Sequence, residues 1–276
     1  MYKKVFLMPQ FGSPYEWNQQ FIDKVQHLGP YGWDFKIFTP NDIPSKGNVE
    51  VVKMTVEQFN ELAEKHCGVK PTLSINENGR PSFHITDFIV YLGTILQDYT
   101  KGYDFWGHIG FDNVVGRLNI FFPDEVLDKC DIFSDDVGVI NGNFCLWRNT
   151  KEVNDIPFRL SFWKEVFLQK DCEGCATQGK EHTLFCPDEI GMNEILKELV
   201  EDGVRIAMPQ YFSPHSHDRL ENHRPEVKLT CTQEGAVWEL LQDVGHPQWV
   251  HARPFMGREV PYFHFQRTKK WPKFYE

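Results

Sequence analysis

An acidic residue ends an aromatic, apolar run at residues 103–118, which read YDFWGHIGFDNVVGRL. The run stops at Asp112, which Asn113 follows, and glycines lie on both sides. Because glycine carries no side chain, a ligand can approach the backbone closely here. A carboxylate at this point can hold Mg²⁺ or Mn²⁺, which favour oxygen ligands, and the cation can bridge to a diphosphate. The alternative is an Asx-type turn made by Asp112 and Asn113.

A second group of residues has a spacing that resembles a small zinc knuckle. The segment CEGCATQGKEHTLFC contains Cys172, Cys175, His182 and Cys186. Thiolates and imidazole are the usual ligands of structural zinc. We therefore expect either a structural zinc site or a loop with free thiols. The three histidines at 214–223 receive no role.

Three further carboxylates stand near predicted helix starts. Asp87 lies early in a helical pattern, and Asp188 and Glu189 follow a proline at the start of another. A helix N-terminus favours carboxylates through its dipole and its free N–H groups. Helix capping is therefore one interpretation of all three residues.

Alternating strands and helices must position these residues. Apolar runs predict strands at 3–9, 33–38 and 103–109, and helices at 14–28, 55–67 and 85–99. Shorter elements follow, with strands predicted at 137–140, 144–148, 204–208, 227–231 and 260–265, and helices near 157–169 and 187–202. This rhythm is typical of an α/β domain with a mostly parallel sheet. In such sheets ligands bind beyond the carboxyl ends of the strands, where Asp112 is predicted to lie.

The composition disfavours some classes of partner. The 276 residues carry 39 acidic and 29 basic side chains, and the net charge of −10 disfavours a broad nucleic-acid surface. Residues 251–276 are locally basic, which suits a small phosphorylated ligand, with a solvated surface as the alternative. No apolar run is long enough for a membrane span, and the N-terminus lacks a signal-peptide pattern. The seven cysteines, an odd number, favour reduced thiols and a cytoplasmic location.

Five motifs, taken in order, resemble a family of glycosyltransferases. They are FGSPYEW, YDFWGHIGFDNVVGRL, INGNFCLWRN, FCPDEIG and YFHFQR, and they span most of residues 3–268. The family comprises nucleotide-sugar-dependent enzymes of the type-A (GT-A) fold, in which an Asp-bearing helix precedes a strand that ends in Asp-x-Asp. The resemblance implies one domain over residues 1–276, with a Rossmann-related sheet flanked by helices. Residues 1–120 would form the nucleotide-sugar-binding half, and 121–276 a more irregular acceptor-side half with a basic C-terminal segment.

The resemblance also implies roles for individual residues. The implied donor-binding residues are Phe11, Gly12, Thr39, Asp87, Gly110, Phe111, Asp112 and Arg267. The implied metal ligands are Asp112 and His264. Asp188 is the implied catalytic base, with Glu189 second, because an inverting transfer needs a carboxylate near the acceptor hydroxyl. For two of these residues an alternative stays open. In the alternative, Phe11 is a buried core residue, and His264 points out of an edge strand.

One position departs from the family pattern. Gly110 stands where the family has its first aspartate, and only Asp112 remains. In the family the second aspartate is usually the direct metal ligand, whereas the first more often contacts the ribose or a metal-bound water. The departure therefore puts metal affinity and ribose contacts in question without removing the site. His108 either compensates in part for the missing aspartate or is a core histidine whose hydrogen-bonding groups are satisfied.

The activity implied by the resemblance is a sugar transfer. The donor would be a nucleoside diphosphate sugar, in the first instance a UDP-sugar, the acceptor a glycan hydroxyl, and the cofactor Mn²⁺ or Mg²⁺. A different class of function is a catalytically degenerate transferase that only binds a glycan or a protein partner, and a third is a metal-dependent hydrolase. We expect neither a nucleic acid nor a membrane as partner. The sequence does not determine the oligomeric state, the donor sugar or the stereochemical outcome.

Overall fold

The structure, a computed structural model of the 276-residue chain, describes most of the chain up to residue 168 and parts of the remainder. The described residues are 1–75, 83–134, 140, 144–168, 191–207, 227–231, 235–241, 258–260 and 262–264. The strands are β1 (Lys4–Pro9), β2 (Trp33–Thr39), β3 (Val49–Lys53), β4 (Phe105–Ile109), β5 (Asn113–Val115), β6 (Ile132–Ser134), β7 (Phe144–Arg148), β8 (Ile206–Ala207), β9 (Val227–Cys231), β10 (Val237–Leu241), β11 (Arg258–Val260) and β12 (Tyr262–His264).

Seven of these strands form one sheet in the order β3-β2-β1-β4-β7-β6-β8. Neighbouring strands are parallel except where β7 pairs antiparallel with β4 and with β6. The predicted class, an α/β fold with a mostly parallel sheet flanked by helices, is therefore confirmed. The arrangement is consistent with the GT-A-like fold that the motifs imply.

The interior strand β1 is buried on both faces. Val5 and Leu7 pack into one hydrophobic core, whereas Phe6 and Met8 pack into a second core on the other side of the sheet. All four side chains are inaccessible to solvent. A continuous apolar run such as KVFLMP is what a parallel strand covered by helices on both faces requires.

The helices that flank the sheet are short, with one exception. They are α1 (Asn18–Lys24), α2 (Val56–Cys67), α3 (Leu92–Ile95), α4 (Leu118–Phe121), α5 (Asp124–Leu127), α6 (Lys151–Asn154), α7 (Trp163–Leu168), α8 (Met192–Glu194) and α9 (Leu196–Glu201). The longest, α2, begins with a capping box in which Thr55 and Gln58 each bond the other's backbone N–H. The helix predicted at 55–67 is thus confirmed, together with its N-cap.

Two other predicted α-helices are partly 3₁₀-helices. The pattern at 14–28 gives only α1, which a 3₁₀-helix at Val25–Tyr31 follows, with Pro30 inside it. The pattern at 85–99 gives a 3₁₀-helix at Phe83–Tyr91 before the four-residue α3. Proline removes a backbone donor, and the β-branched residues of the second segment have low α-helix propensity.

Two small sheets complete the described fold. β9, β10 and β11 form an antiparallel sheet, and β5 pairs antiparallel with β12. The strand predicted at 260–265 is therefore two strands, β11 and β12, on either side of Pro261 in sequence. Among the helices in the described ranges, none has both the length and the apolar character needed to cross a bilayer.

Candidate functional site

The carboxyl ends of three strands lie together where the strand order of the sheet reverses. From β1 the chain adds β2 and then β3 on one side, and β4 then returns to the other side of β1. The carboxyl ends of β1 and β4 therefore lie side by side at a topological switch point, which is the expected ligand crevice of an open α/β sheet. The segments that leave these ends are residues 10–17 and 110–112, and the end of β2 lies next to β1.

An aromatic cluster joins the segment after β1 to the segment after β4. Trp17 donates a hydrogen bond from Nε1 to the carbonyl oxygen of Phe111 at 2.9 Å. Tyr15 stacks on Trp17, with ring centroids 4.9 Å apart and planes 4° apart, and its ring also lies 6.0 Å from that of Phe111. Tyr15 remains 48% exposed, whereas Trp17 and Phe111 are buried. The cluster fixes the backbone just before Asp112 and leaves one aromatic ring open to solvent.

A buried amide pair stabilises the beginning of the first segment. Gln10 and Asn18 exchange side-chain hydrogen bonds, with Asn18 Nδ2 to Gln10 Oε1 at 2.7 Å. Asn18 Oδ1 also accepts from the backbone N–H of Tyr15 at 3.1 Å. Both amides are nearly inaccessible to solvent, so these bonds satisfy polar groups that would otherwise be costly to bury.

The ends of β1 and β2 are joined by one asparagine that the sequence did not single out. Asn41 donates from Nδ2 to the carbonyl oxygen of Gly12 at 2.7 Å and to the hydroxyl of Thr39 at 2.9 Å. Thr39 is fully buried. Gly12 and Thr39 therefore lie at the predicted crevice, where their polar groups hold the two loop ends together.

Asp112 lies at the edge of the crevice, partly buried, with its carboxylate folded back towards residue 110. A Cβ atom built on Gly110 would lie 2.6 Å from Asp112 Oδ1 and 3.0 Å from Asn113 Nδ2. Asn113 is fully buried and donates from Nδ2 to the Gly110 carbonyl oxygen at 3.0 Å. Within the described residues its Oδ1 has no hydrogen-bond partner. The absence of a side chain at 110 thus gives the Asp112 carboxylate its space.

The negative charge of Asp112 acts on two neighbouring groups. Burial raises the pKa of the Tyr15 hydroxyl, and the charge of Asp112 raises it further. Burial lowers the pKa of His108 to about 4, although its bond to Leu7 and the Asp112 charge both oppose this shift. Asp112 therefore lies close enough to both side chains to interact electrostatically with them.

His108 has a defined tautomer. Its Nδ1 lies 3.2 Å from the carbonyl oxygen of Leu7, which can only accept a hydrogen bond. Nδ1 therefore carries the proton, and Nε2 of the neutral ring carries the lone pair. A histidine that donates one N–H to a backbone carbonyl is oriented as metal-binding histidines commonly are.

The C-terminal strand β12 lies beside Asp112 along the backbone. In the β5–β12 pair, His264 is the register partner of Asn113, and Tyr262 is the partner of Val115. Tyr262 is buried and stacks on Phe144 with a centroid distance of 5.1 Å. The fold therefore places the backbone of His264, 152 residues further along the chain, next to the residue after Asp112.

Two residues that were predicted to bind the donor have buried side chains. The Phe11 ring is 4% exposed and packs against Phe59 at 5.4 Å, so the buried alternative applies and the ring is not open to a base. Phe111 is likewise buried, against Phe21 and Tyr15. Core packing thus takes up both aromatic side chains.

Asp87 does not stand at a helix start. It is the fifth residue of the 3₁₀-helix at Phe83–Tyr91, and no acidic residue lies in the first turn of that helix. The capping interpretation from the sequence is therefore wrong. Asp87 is partly buried, and its charge helps to raise the pKa of the buried Tyr91 hydroxyl, although burial of that hydroxyl is the main cause.

Several predicted site residues lie outside the described residues. They are the proposed bases Asp188 and Glu189, the phosphate ligand Arg267, and the four zinc candidates Cys172, Cys175, His182 and Cys186. Their assignments remain predictions.

Comparison with known proteins identifies the family of the chain. The profile of DUF6625, a family of unknown function, matches residues 6–274. The chain belongs to this family. No curated protein matches the sequence of this DUF6625 protein.

Solved structures with some similarity to this DUF6625 protein include two of the glycosyltransferase GlyE from Streptococcus pneumoniae TIGR4. One shares 15% identity with a TM-score of 0.34 and covers 76% of this chain and 46% of that chain. The apo form shares 15% identity with a TM-score of 0.36, and the match covers 75% of this chain and 45% of that chain. This chain thus spans about half the length of GlyE. The apo form of mouse xyloside xylosyltransferase 1 shares 8% identity with a TM-score of 0.43, covering 98% of this chain and 99% of that chain.

The residues of this DUF6625 protein at the crevice fit a divalent cation by chemical type. Asp112 supplies a carboxylate, His108 supplies an imidazole with a free lone pair, and the uncommitted Oδ1 of Asn113 adds a polar oxygen. Within the described residues, no three His, Cys, Asp or Glu side chains converge as a metal site. A Mg²⁺-like ion needs only one or two protein carboxylates when substrate phosphates and water supply the other ligands. The set therefore suits a cation that binds together with a phosphorylated ligand.

Proposed function

We propose that this DUF6625 protein is a glycosyltransferase that moves a sugar from a nucleoside diphosphate donor to a glycan hydroxyl. One observation carries the proposal: a carboxylate, Asp112, stands at the switch point between β1 and β4. Phosphorylated ligands bind at this place in open α/β sheets. The motif order in the sequence adds independent support.

The reaction replaces one bond at the sugar C1 by another. The bond between the sugar C1 and the diphosphate oxygen breaks, and a bond from C1 to the acceptor oxygen forms. In an inverting transfer the proton of the acceptor hydroxyl goes to a carboxylate, and Asp188, with Glu189 second, is the proposed base. The leaving diphosphate takes the electron pair, and Arg267 is proposed to stabilise its charge. Mn²⁺ or Mg²⁺ would supply Lewis-acid stabilisation of the same oxygens.

We propose that residues in the described part of the chain hold and position the donor. Asp112 and, by backbone placement, His264 are the proposed cation ligands. Tyr15, the exposed ring of the aromatic cluster, offers a flat face beside Asp112. Asn41 and Trp17 hold the loops that border the crevice. We therefore place the UDP-sugar in this crevice, with a glycan as the acceptor.

Titration of UDP into the protein with Mn²⁺, followed by a panel of UDP- and GDP-sugars, tests the proposal. We expect UDP to bind only with Mn²⁺ and donor turnover to disappear in Asp112→Ala. The variant Asp124→Ala, which removes a partly exposed carboxylate paired with the N-terminus, is a control for general loss of negative charge. Wild-type turnover in Asp112→Ala would refute the assignment.

A binding module without catalysis is the second candidate, and one observation favours it. Gly110 replaces the first aspartate, and among the described residues no three His, Cys, Asp or Glu side chains converge at Asp112. This candidate predicts no nucleotide-dependent rise in melting temperature but retained affinity for a glycan array. Sugar release that needs no acceptor and proceeds at full rate in water would instead indicate a hydrolase.

A further inference from the structure

His108 reaches the crevice from the same strand that delivers Asp112. It lies in β4, two residues before Gly110 and four before Asp112. Side chains two residues apart along a strand point to the same face. Gly110 is the first residue after β4, so strand alternation extended by one residue puts position 110 on the His108 side. A side chain at 110 would therefore project on the same side of the strand as the His108 ring.

Gly110 shows where the Asp112 carboxylate lies relative to that face. The Cβ that residue 110 lacks would lie 2.6 Å from Asp112 Oδ1. The carboxylate therefore occupies the space on the His108 side of the strand. Positions two apart in a strand are separated by about 7 Å. Metal–oxygen and metal–nitrogen bonds are each about 2 Å long, so a shared cation spans about 4 Å, and the His108 side chain has to extend along the strand to cover the remainder.

The hydrogen bond of His108 leaves the correct atom for ligation. Nδ1–H donates to the Leu7 carbonyl oxygen, so the lone pair is on Nε2. The Leu7 carbonyl, one strand away in β1, holds the ring in orientation.

We propose that His108 is a ligand of the divalent cation at Asp112 and takes the place of the first aspartate that Gly110 replaces. The proposal rests on the proposed function for the presence of the cation, and it adds a ligand that the motif does not contain. An imidazole is an acceptable Mn²⁺ ligand beside a carboxylate. Gly110 then makes room for a ligand pair, His108 with Asp112.

The first test measures Mn²⁺ affinity in the presence of UDP, from the electron paramagnetic resonance signal of free Mn²⁺. We expect His108→Gln to weaken binding at least about tenfold, a loss of the size that follows changes around metal-binding histidines. His66→Gln, which removes a histidine that bonds Asp98 on the surface, is the matched control and should bind as the wild type does. A circular dichroism melt of each variant checks folding.

The second test detects the ligand itself. In His264→Ala loaded with Mn²⁺ and UDP, pulsed electron paramagnetic resonance should show the ¹⁴N coupling of a bound imidazole. The coupling should vanish when His108→Asn or His108→Gln is added. If one of these variants fails to fold, the other is used, and absence of the coupling in His264→Ala alone overturns the proposal.

The outcomes separate the two proposals. If Asp112→Ala loses Mn²⁺ while His108→Gln binds it as the wild type does, His108 is not a ligand and the Asp112 site stands. If Asp112→Ala binds as the wild type does, or if the wild type with UDP binds no Mn²⁺, the cation site fails and His108 fails with it. Loss in both variants, with the nitrogen coupling dependent on His108, supports the ligand pair.

Discussion

At the scale of single residues, Gly110 determines where Asp112 can place its carboxylate. In Gly110→Ala the added Cβ would meet Asp112 Oδ1, which is the end of a short side chain and can move aside. The backbone of Gly110 is not left-handed, so alanine adds no backbone strain. We therefore expect Mn²⁺–UDP affinity to fall about tenfold while unfolding free energy changes by less than about 1 kcal/mol.

Titration calorimetry and urea unfolding on the same samples check this expectation. Gly110→Asp, which restores the Asp-x-Asp pattern, should bind no better than Gly110→Ala because its Cβ meets the same oxygen. Tighter Mn²⁺ binding in Gly110→Asp would show that residue 110 does not limit the position of the carboxylate.

A buried lysine gives a second prediction at the same scale. Lys4 lies in β1 with its side chain almost inaccessible, and Nζ donates to the Tyr31 carbonyl oxygen at 3.1 Å and lies 5.0 Å from the Trp33 ring centroid. Burial lowers the pKa of Lys4, although the charges of Asp124 and Asp104 oppose the shift. Between this lowered pKa and the unfolded value of about 10.4, the unfolded chain binds more protons.

The unfolding free energy of the wild type should therefore rise with pH across that window relative to Lys4→Met, which lacks the titrating group. Urea unfolding at pH 8, 9 and 10 measures the difference between the two proteins. The other ionisable groups cancel because both proteins share them. A difference that stays constant with pH contradicts a lowered pKa for Lys4.

At the scale of elements, one ion pair connects the segment after β5 to β11. Arg117 donates from Nε to Glu259 Oε1 at 2.7 Å and makes a second bond to Oε2, and both side chains are largely buried. In Glu259→Gln the partly buried guanidinium loses its charged partner, which costs about 1–3 kcal/mol. We expect faster amide hydrogen exchange in β5, by about tenfold or more.

The matched control is Glu201→Gln, which removes an exposed partner of Lys197 at 3.6 Å. Exposed pairs contribute little, so exchange in β5 should not change. Hydrogen exchange read by mass spectrometry distinguishes the two variants. Equal protection of β5 in Glu259→Gln and wild type would show that the ion pair does not stabilise the pairing of β5 with β12.

The sequence predicted the elements whose pattern is set locally. The buried runs of β1, β2, β4 and β7 and the capped helix α2 lie where their residues indicated. The edge strand β3 and the three-residue β6 were missed, because pairing with neighbours defines short strands more than their own composition does. Periodicity also predicted an α-helix over the whole segment at 85–99, although the β-branched residues of its first part favour the 3₁₀-helix that forms there.

The candidate site followed the same division. Asp112 was found because a strand end and its glycines mark the residue locally. Asn41 and Trp17 were not found, because their role depends on hydrogen bonds to carbonyl groups 29 and 94 residues away in sequence. The proximity of His264 to Asn113 was implied only by resemblance, since pairing across 151 residues has no local signal. Long-range contacts therefore limit what sequence patterns can predict.

At the scale of the whole molecule, the last described strand contributes to the core and to the crevice together. Tyr262 is fully buried and stacks on Phe144 of β7, with 14° between the ring planes. Two residues further along β12, His264 is the register partner of Asn113. Removing the Tyr262 ring should therefore weaken both the fold and the site.

We expect Tyr262→Ala to lower the unfolding free energy by about 3–5 kcal/mol, the usual cost of deleting a buried aromatic side chain. Tyr262→Phe keeps the stacked ring and should retain most of the stability, and Tyr31→Ala, at an exposed position, should cost less than about 0.5 kcal/mol. Mn²⁺–UDP affinity, measured at a temperature where Tyr262→Ala is still folded, should fall in that variant alone because β12 no longer holds its register against β5. Wild-type affinity in a destabilised Tyr262→Ala would mean that β12 belongs to the core and not to the cation site. Asp112 and His108 would then be the remaining proposed ligands of the cation.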